Sequence, residues 1–136
     1  MQKKSLPQII AYIGIVVLTS FGLMGVVPLV RSELALGDIC PKIIGIPACY
    51  VILACLIFIL FHVFRIARFG SKLFWVGTLI ALSIATFGSV SNMVGYVKCP
   101  TTSSGTPMCY LSFLIFAGLA VFRLLEVRFS RNKAAH

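Results

Sequence analysis

Acid is almost missing from this chain: Glu33, Asp38 and Glu126 are its only three carboxylates in 136 residues. Hydrolytic chemistry built on paired carboxylates has no material here, and no Ser/His/Asp set or phosphate-binding glycine loop replaces it. Histidine is equally scarce. His62 and His136 stand far apart, too few for a haem or metal centre, so no metal site is expected and His62, between Phe61 and Phe64, reads as interfacial packing. There is no Cys-x-x-Cys and no close-spaced pair of thiols within a helix, which argues against a carrier of soft metal ions. Strict polar–apolar alternation is absent, which excludes a transmembrane barrel. No polar stretch is long enough for a soluble domain, so the basic net charge has no nucleic-acid interface to serve.

What fills the chain instead is hydrocarbon. Hydrophobic residues make up 60% and charged residues 11%, with a mean hydropathy of +1.05. Four runs, 6–30, 43–64, 73–97 and 108–125, are apolar enough to cross a bilayer core of about 30 Å, which takes about 20 helical residues. In lipid such runs satisfy their backbone groups only as helices or closed barrels. The expected fold is an all-α integral membrane protein of four helices forming a single domain over 1–136. Lys3 and Lys4 resemble the basic start of a secretory signal, but the apolar run is too long and no A-x-A site precedes Arg31; a retained span is expected.

The bases orient this bundle. Lys3, Lys4, Arg65, Arg68, Lys72, Arg123, Arg128, Arg131 and Lys133 lie at the termini and in the middle connection, against Arg31, Lys42 and Lys98 in the other two loops. By the positive-inside rule both termini are expected in the cytoplasm of a cell whose plasma (inner) membrane holds the chain. Of the net charge of +9, eight (nine bases less Glu126) then falls inside and one (three bases less Glu33 and Asp38) outside. Anionic headgroups of the lipid bilayer partner the cytoplasmic bases without further help.

Four of the five cysteines fall in a phrase written twice. Cys40-Pro41 leads to Pro47-Ala48-Cys49-Tyr50, and Cys99-Pro100 leads to Pro107-Met108-Cys109-Tyr110. Arg68-Phe69 and Arg128-Phe129 follow at matching distances. Ser20-Phe21-Gly22 echoes Thr86-Phe87-Gly88 if the first half carries an insertion of about seven residues near 31–37. Two tandem, parallel helix–loop–helix repeats, 6–70 and 71–136, are therefore expected. On an oxidising outer face two such pairs form a disulfide framework. Four cysteines allow three pairings. Duplication of one hairpin favours the local bridges Cys40 to Cys49 and Cys99 to Cys109, while a bridge between the halves needs only Cα atoms within about 7 Å. Pro41 and Pro100 deny the helix a start, and Pro47 and Pro107 suit the first turn of the next helix. Cys49 and Cys109 then sit near a positive helix end, which favours a thiolate.

The cysteines support two roles, a staple for a protein with little extramembrane core or a thiol relay to a lipid-soluble quinone. Four helices with inward termini and a cysteine pair in each outer loop resemble the disulfide-bond-formation protein B family, and the Cys40 to Cys49 loop is similar to that of vitamin K epoxide reductases. The resemblance is one of layout. It implies a quinone cofactor, a soluble thiol protein as partner, and Cys49 and Cys109 at the helix-start cysteine positions, without the Cys-x-x-Cys that those families carry.

Smaller signals lie on the third run. Gly77, Ala81, Ala85 and Ser89 recur every four residues, a stripe that admits a close helix neighbour. Ser89, Ser91 and Asn92 form a polar cluster suited to interhelical bonding or to a ligand. Tyr50, Tyr110, Trp75 and Tyr96 fall at aromatic-belt depth, and Cys55 reads as a small buried hydrophobe. The expected function is a non-enzymatic membrane subunit or small-solute carrier with disulfide-stapled outer loops and no cofactor. The alternative is a quinone-linked thiol/disulfide oxidoreductase using Cys40, Cys49, Cys99 and Cys109.

Overall fold

The computed structural model describes residues 6–64 and 70–136. Lys3, Lys4, Arg65 and the Arg68-Phe69 half of the echo lie outside the described residues. Four helices follow one another, α1 (Leu6–Leu36), α2 (Ala48–Val63), α3 (Gly70–Met93) and α4 (Met108–Ala134), with a two-stranded hairpin, β1 (Lys42–Ile43) and β2 (Ile46–Pro47), before α2. α1 packs against α2 and α4, and α3 packs against the same two, so the helices close into a four-membered ring. Ile15, Thr19, Leu56, Ile59, Phe74, Thr78, Phe116 and Leu119 fill its centre.

Three of the helices, α1, α3 and α4, are long and apolar enough to cross a membrane; α2 is a shorter apolar helix. The expected run 43–64 is thus not one helix. Gly45 and the prolines at 41 and 47 divert its first residues into the hairpin, leaving 16 helical residues, about 24 Å at 1.5 Å per residue. The hairpin turn places Ile44 (φ 54°) and Gly45 (φ 81°) in the left-handed region, as a two-residue type I′ connection demands. For a β-branched residue that conformation is strained.

The other boundaries differ in the opposite sense. α1 runs past the expected end at 30 to Leu36, through Pro28, whose ring removes only one backbone hydrogen bond. α4 runs past 125 to Ala134, since Glu, Arg and Lys are good helix formers where apolar burial ends. α3 starts and ends before the expected 73–97, because Gly95 (φ 78°) turns the chain out of the helix. Pro47 and Pro107 are the N-cap residues rather than first-turn residues, which leaves Cys49 and Cys109 as the second residue of each helix.

Burial follows a register. Ala11, Ile15, Thr19 and Val26 are buried in α1, and Gly70, Phe74, Thr78 and Ala85 in α3, each 59 positions on. Cys55, Leu56, Ile59 and Val63 are buried in α2, and Ile115, Phe116, Leu119 and Arg123 in α4, each 60 positions on. The additional position arises in the second cysteine loop, whose bridge spans 10 residues against 9. This register holds without the seven-residue insertion, so Ser20-Phe21-Gly22 and Thr86-Phe87-Gly88 do not occupy matching positions along their helices.

The small-residue stripe is fully buried, and it meets α2: a Cβ on Gly77 would lie 3.3 Å from the Cys55 carbonyl oxygen and 3.6 Å from Phe58 Cβ. At the α1–α4 contact a Cβ on Gly118 would lie 3.0 Å from Leu18 Cδ1. At Gly77 the glycine admits the backbone of α2, and at Gly118 it admits the Leu18 side chain.

Candidate functional site

Both cysteine loops close on themselves. Cys40 is bonded to Cys49 and Cys99 to Cys109, with Cα atoms 6.2 Å apart in each. The Pro41 carbonyl accepts from the Ala48 N–H (3.0 Å), and that of Pro100 from the Met108 N–H (2.9 Å). A bridge joins Thr101 to Pro107 as Lys42 pairs with Pro47. Cys40, Cys49 and Cys99 are buried, between 5% and 7% exposed, and Cys109 is half-buried. Cys55 is a buried free thiol.

Each loop is also pinned from the helix before it, by a residue seven positions ahead of its first cysteine. Glu33, buried at the end of α1, accepts at Oε2 from the N–H groups of Ile39 (2.7 Å) and Cys40 (2.9 Å). Asn92, near the end of α3, accepts at Oδ1 from the Cys99 N–H at 3.5 Å, a longer and weaker contact. The sequence reading treats Glu33 only as an outer-loop charge. The signal that identifies it is the shared spacing of Glu33 and Asn92 from Cys40 and Cys99. Outside, Asp38 and Lys42 pair at 2.6 Å. The hydrogen bond and charge of Lys42 hold the Asp38 carboxyl below its ordinary value, and Asp38 in turn raises the Lys42 ammonium.

Between the loops lies a cavity of about 90 Å³. Its wall is nearly all apolar and draws on matching positions of both halves: Leu29 and Gly88, Cys49 and Cys109, Ile52 and Ser112. A second cavity of about 50 Å³, towards Gly22 and Phe116, shares Leu29, Cys49, Ile52, Met108 and Ser112 with the first. Of the expected polar cluster, Ser91 lines the larger cavity. Ser89 is buried with no hydrogen-bond partner for its hydroxyl among the described residues, and Asn92 serves the Cys99 loop.

At the other end of the bundle, sequence reasoning missed a second set of closures. The Tyr12 hydroxyl donates to the Val63 carbonyl (3.0 Å), and Arg123 Nη2 donates to Ser71 Oγ (2.9 Å), again at matching register positions. Arg123 also pairs with Glu126 at 2.6 Å and lies 5.8 Å from the Phe74 ring centre. His62 meets that ring edge-on at 5.2 Å. Trp75, Tyr50 and Tyr110 are half-buried and Tyr96 is exposed.

Comparison with protein-family models, with curated proteins and with solved structures finds no match to this chain. The reading of function therefore rests on the geometry.

Proposed function

We propose that this chain is an integral membrane protein of two tandem helix–loop–helix repeats, crossing the bilayer four times with both termini cytoplasmic, and that it acts as a membrane subunit or small-solute carrier. The repeat is supported by the burial register and by the hydrogen bonds that recur with it: Glu33 and Asn92 on the cysteine loops, Tyr12–Val63 and Ser71–Arg123 at the far end. The distribution of bases supports the orientation in the plasma membrane. For the fourth crossing, the apolar hairpin continues the run that α2 leaves short.

The observation that carries the functional reading is the cavity walled by both halves and roofed by two bridges whose sulfurs are mostly buried. Such bridges stabilise a loop with few other contacts, by about 2.5 to 3 kcal/mol each for loops of this length, and are poorly placed to exchange with a soluble thiol protein. The cavity lies at the disulfide end rather than the midplane, so a carried solute would engage from the outer face. A quinone-linked thiol/disulfide oxidoreductase is the second reading, favoured by one fact: Cys49 and Cys109 line the same cavity.

Cys109→Ser separates the two. On the first reading it lowers stability by about the value of one bridge, and dithiol-treated protein does not reduce added ubiquinone. Ubiquinone reduction by the purified protein, lost in a Cys109→Ser variant that remains folded, would overturn it.

A further inference from the structure

The two bridges match in register, yet they are not held alike. Their loops span 9 and 10 residues, so the chain-entropy contributions are nearly equal. The tips do not separate them either. Ile43 pairs with Ile46 in one, and the Thr102 N–H donates to the Thr106 carbonyl (2.9 Å) in the other. The difference lies at the cysteines themselves. The Glu33 carboxylate accepts from the N–H groups of Ile39 and Cys40 at 2.7 and 2.9 Å, and residues 37–39 are all that separate Cys40 from α1. The Cys99 N–H donates to the neutral amide of Asn92 at 3.5 Å, and the longer segment 94–98 separates Cys99 from α3. At the other end of each bridge, Ala48 and Cys49 open α2 buried, whereas Met108 and Cys109 open α4 half-buried.

Thiol–disulfide exchange depends on both differences. A bridge resists reduction to the extent that the fold keeps its two thiols together once it is cut, because their effective concentration drives the bond to re-form. The charged double anchor does this for Cys40, and the single long contact does it less well for Cys99. The rate depends on the access of an attacking thiolate to a sulfur, and Cys109 is the most exposed of the four bridged cysteines. A half-buried sulfur admits a small thiol where it would not admit the active site of a thiol protein.

We propose that the Cys99–Cys109 bridge is a site of reversible modification by small thiols of the outer compartment, while Cys40–Cys49 is the permanent staple. A thiolate attacks Cys109 Sγ: its bond to Cys109 forms, the Cys99–Cys109 bond breaks, and Cys99 leaves as a thiolate that takes a proton from water. A second thiolate cuts the mixed disulfide, releasing the disulfide of the two small thiols and a free Cys109. The bridge has then gained two electrons and the small thiols have lost two. Val97, Pro100, Met108 and Cys109 line the larger cavity, so opening this bridge unties the α3–α4 side of its wall. The proposal rests on the reading above for the outer placement of both loops.

The test titrates the purified full-length chain with dithiothreitol, traps free thiols by alkylation and follows all five cysteines by peptide mass spectrometry. Cys99 and Cys109 should be alkylated at a several-fold lower dithiol concentration than Cys40 and Cys49, with buried Cys55 protected throughout as the sign that the fold persists. Glutathione should leave its adduct on Cys109. Asn92→Glu, which gives the second loop the carboxylate of the first, should raise the concentration that opens Cys99–Cys109 and leave the other bridge unmoved. Glu33→Asn, the reverse exchange, should lower the concentration that opens Cys40–Cys49, and serves if the first variant does not fold. Opening of Cys40–Cys49 first, opening of both together, an adduct confined to Cys99, indifference to both exchanges, or alkylation of Cys55 in step with the bridges overturns the proposal. Glutathione added to intact cells tests the placement separately. An adduct on the purified protein with none in cells would overturn the outer placement and leave the order of opening standing.

Discussion

Glu33→Ala isolates one carboxylate that holds a cysteine loop in place. The substitution removes the acceptor of two backbone N–H groups, at 2.7 Å from Ile39 and 2.9 Å from Cys40, the second of them buried. A hydrogen bond to a charged group contributes about 1.5 to 3 kcal/mol, and a buried donor left unpaired loses its solvation as well. The Ile39 N–H, at a half-buried residue, recovers part of this from water. The expected loss is therefore about 3 kcal/mol. Glu33→Gln keeps an acceptor oxygen but not the charge, and should cost about 1 kcal/mol. Asn92→Ala, which gives up a single contact at 3.5 Å, should cost less than about 1 kcal/mol. Equilibrium unfolding in mixed detergent micelles, with both bridges verified intact, measures all three. Equal losses for Glu33→Ala and Asn92→Ala would refute the assignment of Glu33 as the stronger anchor.

Three further outcomes follow from the fold. Ala81→Leu, at a position with no exposed surface in the α2–α3 contact, should destabilise by about 1 to 3 kcal/mol; unchanged thermal stability in detergent would place the stripe against lipid. Ile44→Asn should stabilise by about 1 kcal/mol, since it replaces a β-branched residue at φ 54° with one that tolerates the left-handed region, and a loss in chemical denaturation would contradict this. On a background without native thiols, Ser104→Cys should react with an impermeant maleimide added to intact cells. Reaction only after the cytoplasmic face is opened would reverse the proposed orientation.

Much of the architecture is legible in the chain because its determinants are local. Apolar length announces the helices, and the proline before each second cysteine sets the start of α2 and α4 to within a residue. The paired loops are visible as a repeated phrase because disulfide geometry tolerates few substitutes. What stays hidden is non-local or chemically disguised. The hairpin before α2 is masked because Ile43, Ile44 and Ile46 read as part of an apolar helix, while the backbone signals, Gly45 and Pro47, are only two residues. Ser20-Phe21-Gly22 misdirects the register, since equivalent core positions carry different side chains, Ile15 beside Phe74 and Val63 beside Arg123, and only burial aligns them. Glu33 was invisible as an anchor because a carboxylate in a loop is ordinarily solvated, and only the fold removes it from water. The cavity is walled by residues from the first cysteine loop and from all four helices, which no single stretch displays.

The glycines at the two interfaces between halves carry a consequence for assembly. Leu18 meets Gly118 and Phe58 meets Gly77, and these four positions are one pair under the register: Leu18 corresponds to Gly77, and Phe58 to Gly118. At these two contacts the first half supplies the larger side chain and the second half the glycine, while at Gly14, where a Cβ would lie 3.0 Å from Phe122, the roles are reversed. Each half thus carries both a socket and a side chain fitted to the other, and a bulky residue at Gly14 or at Gly118 would push α1 and α4 apart from opposite sides.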